Sequence, residues 1–300
     1  MENFLRAWSS SRERRRLHFS CPLHIALACR HCTQIAGGFP VKHNMERLPE
    51  LNPKGEWCVY QRPFRHIRAK RVFATDVYQG LQSAFLSFMK TKERNALGGP
   101  GFTQSPGYDA QILALSQNLS SHFAPLFERR WIDFLAALLN LPALAQIDGA
   151  LHHIPINSRS GWIHTDFCSG WFNAKLTGDI VFPDRRECDY FTGTPKSLDA
   201  QPQEFIRAAT MIFYLQNDNW KDGCGGETGL YATSRAGLGE MHTVAPVNNS
   251  LLLFECSPHS YHALVANPGS PRNSMILWLH SSVENAQSRW GRGFTRRKPK

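Results

Sequence analysis

No apolar run in this 300-residue chain approaches the ~20 residues a bilayer-crossing helix requires, so no membrane span is expected. The opening stretch, M-E-N-F-L-R-A-W-S-S-S-R-E-R-R-R, lacks the apolar core of a secretory signal, and Glu2 and Glu13 count against a transit peptide. A cytoplasmic protein is the expectation. Eight cysteines are present, yet without a secretory signal they imply no disulfide framework. Cys29 and Cys32 have C-x-x-C spacing, but a zinc site needs a second pair nearby and only Cys21 is close, so reduced, incidental thiols are expected. No recognisable nucleic-acid-binding motif accompanies the net charge of +10.

That charge is unevenly placed. Residues 1–72 carry 14 Lys/Arg against 5 Asp/Glu, and residues 289–300 carry 6 against none. The middle, 73–288, is net acidic, with 14 against 19. The organisation this predicts is a basic N-terminal extension over 1–72, a catalytic body over 73–288, and a basic C-terminal tail over 289–300. The basic ends read as solvated tails rather than an anion-binding footprint.

What the chain does have is periodicity. Residues 1–60 mix apolar residues and breakers; a short helix over Leu23–Ala36 and a turn at Leu51–Gly55 are the readings there. Trp57–Phe64 and His66–Phe73 read as strands at an edge of the main sheet. Asp76–Arg94 carries Val77, Leu81, Phe85 and Phe88 at helical spacing, with Asp76 as N-cap. Asn95–Tyr108 is a breaker-rich loop. Ala124–Leu141 reads as one helix, with Pro125 tolerated in its first turn and Pro142 stopping it. From Ala150 the pattern turns to short strands: Leu151–Ile156, the stretch 161–167, Thr210–Gln216, Glu227–Ala232, Ser250–Cys256, Tyr261–Ala266 and Asn273–Ser281. Gly178–Gln203 interrupts them as an insertion able to cover a site. Several short strands at close spacing point to two packed sheets, a sandwich or jelly roll, backed by the preceding helices. The fold class is α+β, mainly β.

Within that β region, Ser160–Gly170 (S-G-W-I-H-T-D-F-C-S-G) holds His164 and Asp166 one residue apart. In extended backbone, positions i and i+2 share a face, so an imidazole and a carboxylate point the same way. A third ligand must come from afar, and S-P-H-S-Y-H-A-L offers His259 and His262. Two histidines and one carboxylate with open positions suit non-haem Fe(II) oxygen chemistry.

With this pattern the chain resembles the Fe(II)/2-oxoglutarate-dependent dioxygenase superfamily, in the style of its prolyl-4-hydroxylase-like branch, over roughly Leu151–Ser281. The family pattern is H-x-D, then about a hundred residues to a distal His, then Arg or Lys about ten residues on. His164 and Asp166 match H-x-D, and His262 matches the distal His because Arg272 follows ten residues later and a strand resumes through Ala263-Leu264-Val265. Arg272 and Ser274 form an R-x-S, the kind that holds the distal carboxylate of 2-oxoglutarate; a cation aimed into a barrel is costly unless paired.

The resemblance implies a double-stranded β-helix (jelly-roll) core from about residue 150. It also implies an Fe(II) site at His164, Asp166 and His262, and 2-oxoglutarate held by Arg272 and Ser274. The cofactors are then Fe(II), 2-oxoglutarate and O2, with ascorbate as an accessory reductant. The activity expected is hydroxylation of an unactivated C–H bond of a small, amino-acid-like or secondary metabolite, releasing succinate and CO2. The alternatives are a peptidyl (prolyl-type) hydroxylase, a non-enzymatic metal-binding jelly-roll module, and a zinc hydrolase. Nucleic-acid demethylases of the superfamily carry a second Arg six residues after the first, where this chain has Trp278, so a nucleic-acid substrate is not expected. Halogenating relatives have a small residue in place of the carboxylate; Asp166 predicts no halogenation. His152, His153, His242 and His280 are read as structural. Trp162, Phe167, Trp171 and Tyr231 are candidates for either pocket lining or core.

Overall fold

In the strand Pro202–Tyr214 every residue from Phe205 onward is buried, and Ser250–Glu255 is buried over five of its six positions. Strands sealed on both faces belong at the centre of a layered structure, and both sit there. The computed structural model describes residues 32–34, 48–91, 101–105, 108–116, 119–142 and 144–293. All of them fall in one unit, His31–Lys300. The described strands are β1 Cys32–Gln34, β2 Glu56–Tyr60, β3 His66–Lys70, β4 Thr103–Gln104, β5 Gln111–Ala114, β6 Ile147–Ile154 and β7 Ser169–Asn173. They continue with β8 Pro202–Tyr214, β9 Thr228–Tyr231, β10 Met241–Val244, β11 Ser250–Glu255, β12 Tyr261–Leu264 and β13 Arg272–Ser282. The described α-helices are α1 Thr75–Thr91, α2 Arg129–Leu139 and α3 Val283–Trp290.

The large sheet runs β1-β2-β3-β11-β8-β13-β6-β5-β4, with β7 pairing the first half of β8; a second sheet runs β10-β9-β12, and every pairing within the sheets is antiparallel. The alternation of side chains divides the large sheet cleanly. Ile67, Leu253, Met211, Phe213, Met275 and Leu277 face one way and pack with Leu81 and Phe85 of α1 and Trp131, Phe134 and Leu135 of α2. Each of these large side chains, fully buried, contributes roughly 1.5–3 kcal/mol. Ile212, Tyr214, Leu252 and Phe254 face the other way and pack against Leu230 of β9 and Val244 of β10. The molecule is therefore a jelly roll whose larger sheet is backed by helices, as the strand spacing predicted.

Several boundaries differ from expectation. Residues 56–60 and 66–70 are strands at one side of the main sheet, as expected, but with β3 paired to β11 the body reaches upstream of residue 73. Of the helix predicted over 23–36 only Cys32–Gln34 is described, and it is a strand against β2. Cys29, most of the loop over 95–108 and residues 294–300 lie outside the described residues. α1 starts at Thr75, which places Asp76 in the first turn, where its charge favours the helix N-terminus, rather than at the cap.

The helix predicted over 124–141 is broken. Ala124–Phe127 is a 3-10 turn with Pro125 in its first positions, Glu128 is extended, and α2 follows. α2 ends before Pro142, because Asn140 takes the left-handed conformation (φ 59°) and caps Ala136 and Ala137. The stretch 161–167 is not a regular strand; it is held beside β12 by the bridge between His164 and His262. Among the described residues no helix is long and apolar enough to cross a membrane.

Candidate active site

His164 and His262 are held opposite one another by reciprocal backbone hydrogen bonds, His164 N to His262 O (3.0 Å) and His262 N to His164 O (2.8 Å). Their ring centroids are 4.4 Å apart. Each ring is oriented from behind: His164 Nδ1 lies 2.9 Å from Trp162 O and His262 Nδ1 lies 3.2 Å from Ser260 O. A carbonyl accepts only from Nδ1–H, so both rings present Nε2 lone pairs inward. Asp166 completes the group, with Oδ1 3.7 Å from His164 Nε2 and Oδ2 3.5 Å from His262 Nε2. One ligand atom from each of the three lies within 4.8 Å of the others. His259 is exposed and outside this cluster, so the geometry selects His262.

Access is one-sided. The His164 side chain is 38 % exposed, whereas Asp166 and His262 are at 8 % and 7 %. Trp162, 56 % exposed, stands beside His164, and Tyr108 packs against it edge-on at 5.5 Å. On the opposite side α3 closes the barrel end, with Ala286 packed on Phe167, Ile206 and Cys256. Of the four aromatics considered as pocket lining, only Trp162 borders the cluster openly. Phe167 packs under α3, Trp171 lies against Gly193, and Tyr231 lies against Gly229.

Asp166 is fixed by residues the sequence reading missed. Its Oδ2 accepts from Thr210 Oγ1 and from Trp278 Nε1, each at 2.8 Å. Oδ1 is left with free lone pairs, and Arg207 Nη1 stands 3.5 Å from it. Burial alone favours a neutral carboxyl, but His262, Arg207 and His164 outweigh it and hold Asp166 well below the usual carboxylate range. Burial, then the neighbouring His262, lowers His164, which keeps it neutral and able to bind a cation.

Arg207 reaches this place through an irregularity. Between Leu279 and His280 the register slips, so that Leu279 pairs Ala209 but His280 pairs Arg207. Ala208 is the extra residue of a β-bulge, and one extra residue turns the next side chain to the other face. Without it Arg207 would face the helices; with it the guanidinium lies 3.7 Å over the Trp278 ring and donates from Nε to Tyr190 Oη (3.0 Å). Tyr190 therefore donates to His280 Nε2 (2.9 Å), and His280 Nδ1–H faces Gln146 O (3.2 Å). Burial, then Arg207, pushes His280 down to about 3, consistent with this neutral tautomer. The insertion over 178–203 thus meets the site through Tyr190, from behind Asp166. No periodicity announces a bulge, and so no sequence signal pointed to Arg207.

Arg272 and Ser274 lie deeper. Arg272 is 4 % exposed and Ser274 fully buried. Arg272 Nη2 donates to Thr228 Oγ1 (3.1 Å), which also meets Tyr214 Oη (2.6 Å). No carboxylate pairs with Arg272 among the described residues, and Arg272 Nε and Ser274 Oγ have no partner. Gly226 (φ +80°) lies over this arginine; a Cβ there would sit 3.4 Å from Arg272 Cβ. Buried polar atoms left unpaired are rare in native proteins, so a cation and a hydroxyl in this state fit an absent anion. The donor set of two imidazoles and a carboxylate likewise fits Fe(II).

Residues 184–280 match the model of the 2OG-Fe(II) oxygenase superfamily, a span that contains His262, Arg272 and Ser274 but begins after His164 and Asp166. No curated protein matches the chain. Among solved structures it is similar to a Pseudomonas putida prolyl-4-hydroxylase (14% identity, TM-score 0.44, 71% of this chain and 91% of that one). It is similar also to a prolyl hydroxylase from Trichoplax adhaerens solved with a hypoxia inducible factor peptide (14%, TM-score 0.48, 74% and 86%). A third is HygX from Streptomyces hygroscopicus, solved with nickel, 2-oxoglutarate and hygromycin B (13%, TM-score 0.44, 73% and 83%). Over residues 184–280 the chain thus carries the pattern of the 2OG-Fe(II) oxygenase superfamily. It is an enzyme of the 2-oxoglutarate-dependent oxygenase class, whose chemistry uses Fe(II), 2-oxoglutarate and O2.

Proposed function

We propose that His164, Asp166 and His262 hold the iron, that Arg272 and Ser274 grip the distal carboxylate of 2-oxoglutarate, and that the enzyme hydroxylates an unactivated C–H bond of a small molecule. The observation carrying the assignment is the pairing of two sites in one barrel. One is a His-Asp-His cluster with the donor set for a divalent cation, and the other is a buried Arg272 that no carboxylate of the described residues pairs. When bound, iron and 2-oxoglutarate supply oxidative decarboxylation coupled to oxygen insertion, releasing succinate and CO2.

The chain's own residues prepare this. Carbonyls of Trp162 and Ser260 fix the imidazole tautomers, while Thr210 and Trp278 occupy Asp166 Oδ2 and leave Oδ1 for the metal. Arginine's planar fork matches a carboxylate bidentately, and its charge is worth most in a site closed to water. The exposed flank bordered by His164, Trp162 and Tyr108 is the side from which a substrate reaches the cluster.

The test is incubation of the Fe(II)-loaded, full-length protein with 2-oxoglutarate and O2. Succinate is expected, and a mass-spectrometric screen of metabolites should find a product heavier by one oxygen. Hydroxylation of prolyl peptides alone would move the substrate to the peptidyl class. No succinate under any substrate would leave a metal-binding module, and turnover with Zn(II) in place of Fe(II) would indicate a hydrolase.

A further inference from the structure

His152, read from sequence as structural, sits beside the anion cradle. β6 and β13 pair so that His152 is directly opposite Ser274, and Ser274 is opposite Tyr214 of β8 on its other side. Residues opposite each other in an antiparallel pair share a face, with Cβ atoms about 5 Å apart. Tyr214, Ser274 and His152 therefore form one row across three strands, on the face that Arg272 also shares. His152 Nε2 is sealed from solvent and has no hydrogen-bond partner, and the same holds for Arg272 Nε and Ser274 Oγ. Since both nitrogens are unpartnered, they do not bond each other. A donor-only guanidinium, a hydroxyl and an imidazole nitrogen thus share one face of neighbouring strands, each with an unpartnered atom.

We infer that His152 is a third arm of the co-substrate cradle, donating a hydrogen bond from Nε2–H to a carboxylate oxygen of the bound 2-oxo acid. This rests on the reading that Arg272 and Ser274 hold that acid. Burial, and after it the charge of Arg272, lowers His152 to about 3, against the opposing pull of Asp166. Both charges are thus close enough to be felt at the ring. The imidazole is neutral there, so it adds a donor without a second positive charge. Charge selects an anion through Arg272, and His152 fixes where along the barrel its oxygens rest. Its neighbour His153 points to the opposite face, with Nδ1 2.7 Å from Asn273 Oδ1, and is a built-in control.

The experiment is calorimetric titration of 2-oxoglutarate into the full chain loaded with redox-inert Zn(II). His152→Leu should weaken 2-oxoglutarate about 10- to 100-fold, the range for losing a hydrogen bond to a charged group. His152→Gln, which keeps a terminal N–H donor at similar reach, should stay within about threefold, and His153→Gln should be unchanged. Zn(II) affinity should be equal in all four proteins. A purely structural His152 would not separate Leu from Gln in this way. In the unmodified protein, the His152 Nε2 nitrogen resonance should move on adding 2-oxoglutarate, a readout that survives any folding failure of the Leu variant. Equal affinity in wild type and His152→Leu, or an unmoved resonance while 2-oxoglutarate binds, would overturn the inference. If the unmodified protein binds no 2-oxoglutarate, the functional reading itself falls and this inference with it.

Discussion

Two polar clusters occupy the same barrel and are built on opposite terms. Around Asp166, the buried side-chain atoms of Arg207, Thr210, Trp278, Tyr190 and His280 are all partnered. Around Arg272, three sealed polar atoms, from Arg272, Ser274 and His152, are not. The first cluster is complete without a ligand and sets the position of a carboxylate. The second leaves donors free, as the proposed anion cradle requires. Buried polar groups are high-stakes in a low dielectric, so the difference separates a positioning device from a binding one.

The sharpest way to break this comparison is at the metal cluster itself. His262→Ala should lose stoichiometric iron and all turnover, while His259→Ala keeps both; iron content after anaerobic Fe(II) loading measures it. Depletion in His259→Ala with full iron in His262→Ala would invert the assignment.

Next in size is the cradle. Arg272→Leu strands an anion in a buried site, a loss of roughly 2–5 kcal/mol by analogy with truncated buried charge pairs. 2-Oxoglutarate affinity should fall accordingly while iron affinity stays nearly constant. Unchanged 2-oxoglutarate binding would refute the role.

The positioning cluster should respond in the reverse sense. Thr210→Val removes one of two donors to Asp166 Oδ2. Loss of such an outer hydrogen bond typically costs 10–100-fold in metal affinity. 2-Oxoglutarate affinity at saturating metal should hardly change. If the two affinities fell together in both variants, the clusters would be one unit and the comparison would fail.

The smallest effect, that of a single buried histidine, is on acid stability. His66, His152 and His280 are lowered to about 4, 3 and 3, in each case chiefly by burial. They are neutral when folded and take up protons when unfolded, so their contribution is complete above about pH 6.5. Below that it is lost, at about 1.4 kcal/mol per pH unit for each, as the pH falls toward the folded values. Denaturant midpoints of the metal-free protein should drop between pH 7.5 and 5.5, and His66→Gln should flatten the drop. An unchanged slope in that variant would show that His66 is already solvated.

The sequence by itself determined the parts of this protein that depend on short range and on residue type. His164 and Asp166 share a face because extended backbone has a two-residue period. The jelly roll was legible because strand after strand from residue 150 is short, apolar and bounded by turn residues. Arg272 was singled out through the family resemblance, by its ten-residue step from His262. The tertiary structure decided what depends on pairing between strands distant in sequence. Which of His259 and His262 joins the cluster follows from the bridge between His262 and His164. Arg207 faces Asp166 only because Ala208 is bulged against β13, and His152 meets Ser274 only through the register of β6 on β13. A bulge or a register is set by the summed packing of whole strands. No single residue encodes it, which is why these neighbours became visible only in the folded chain.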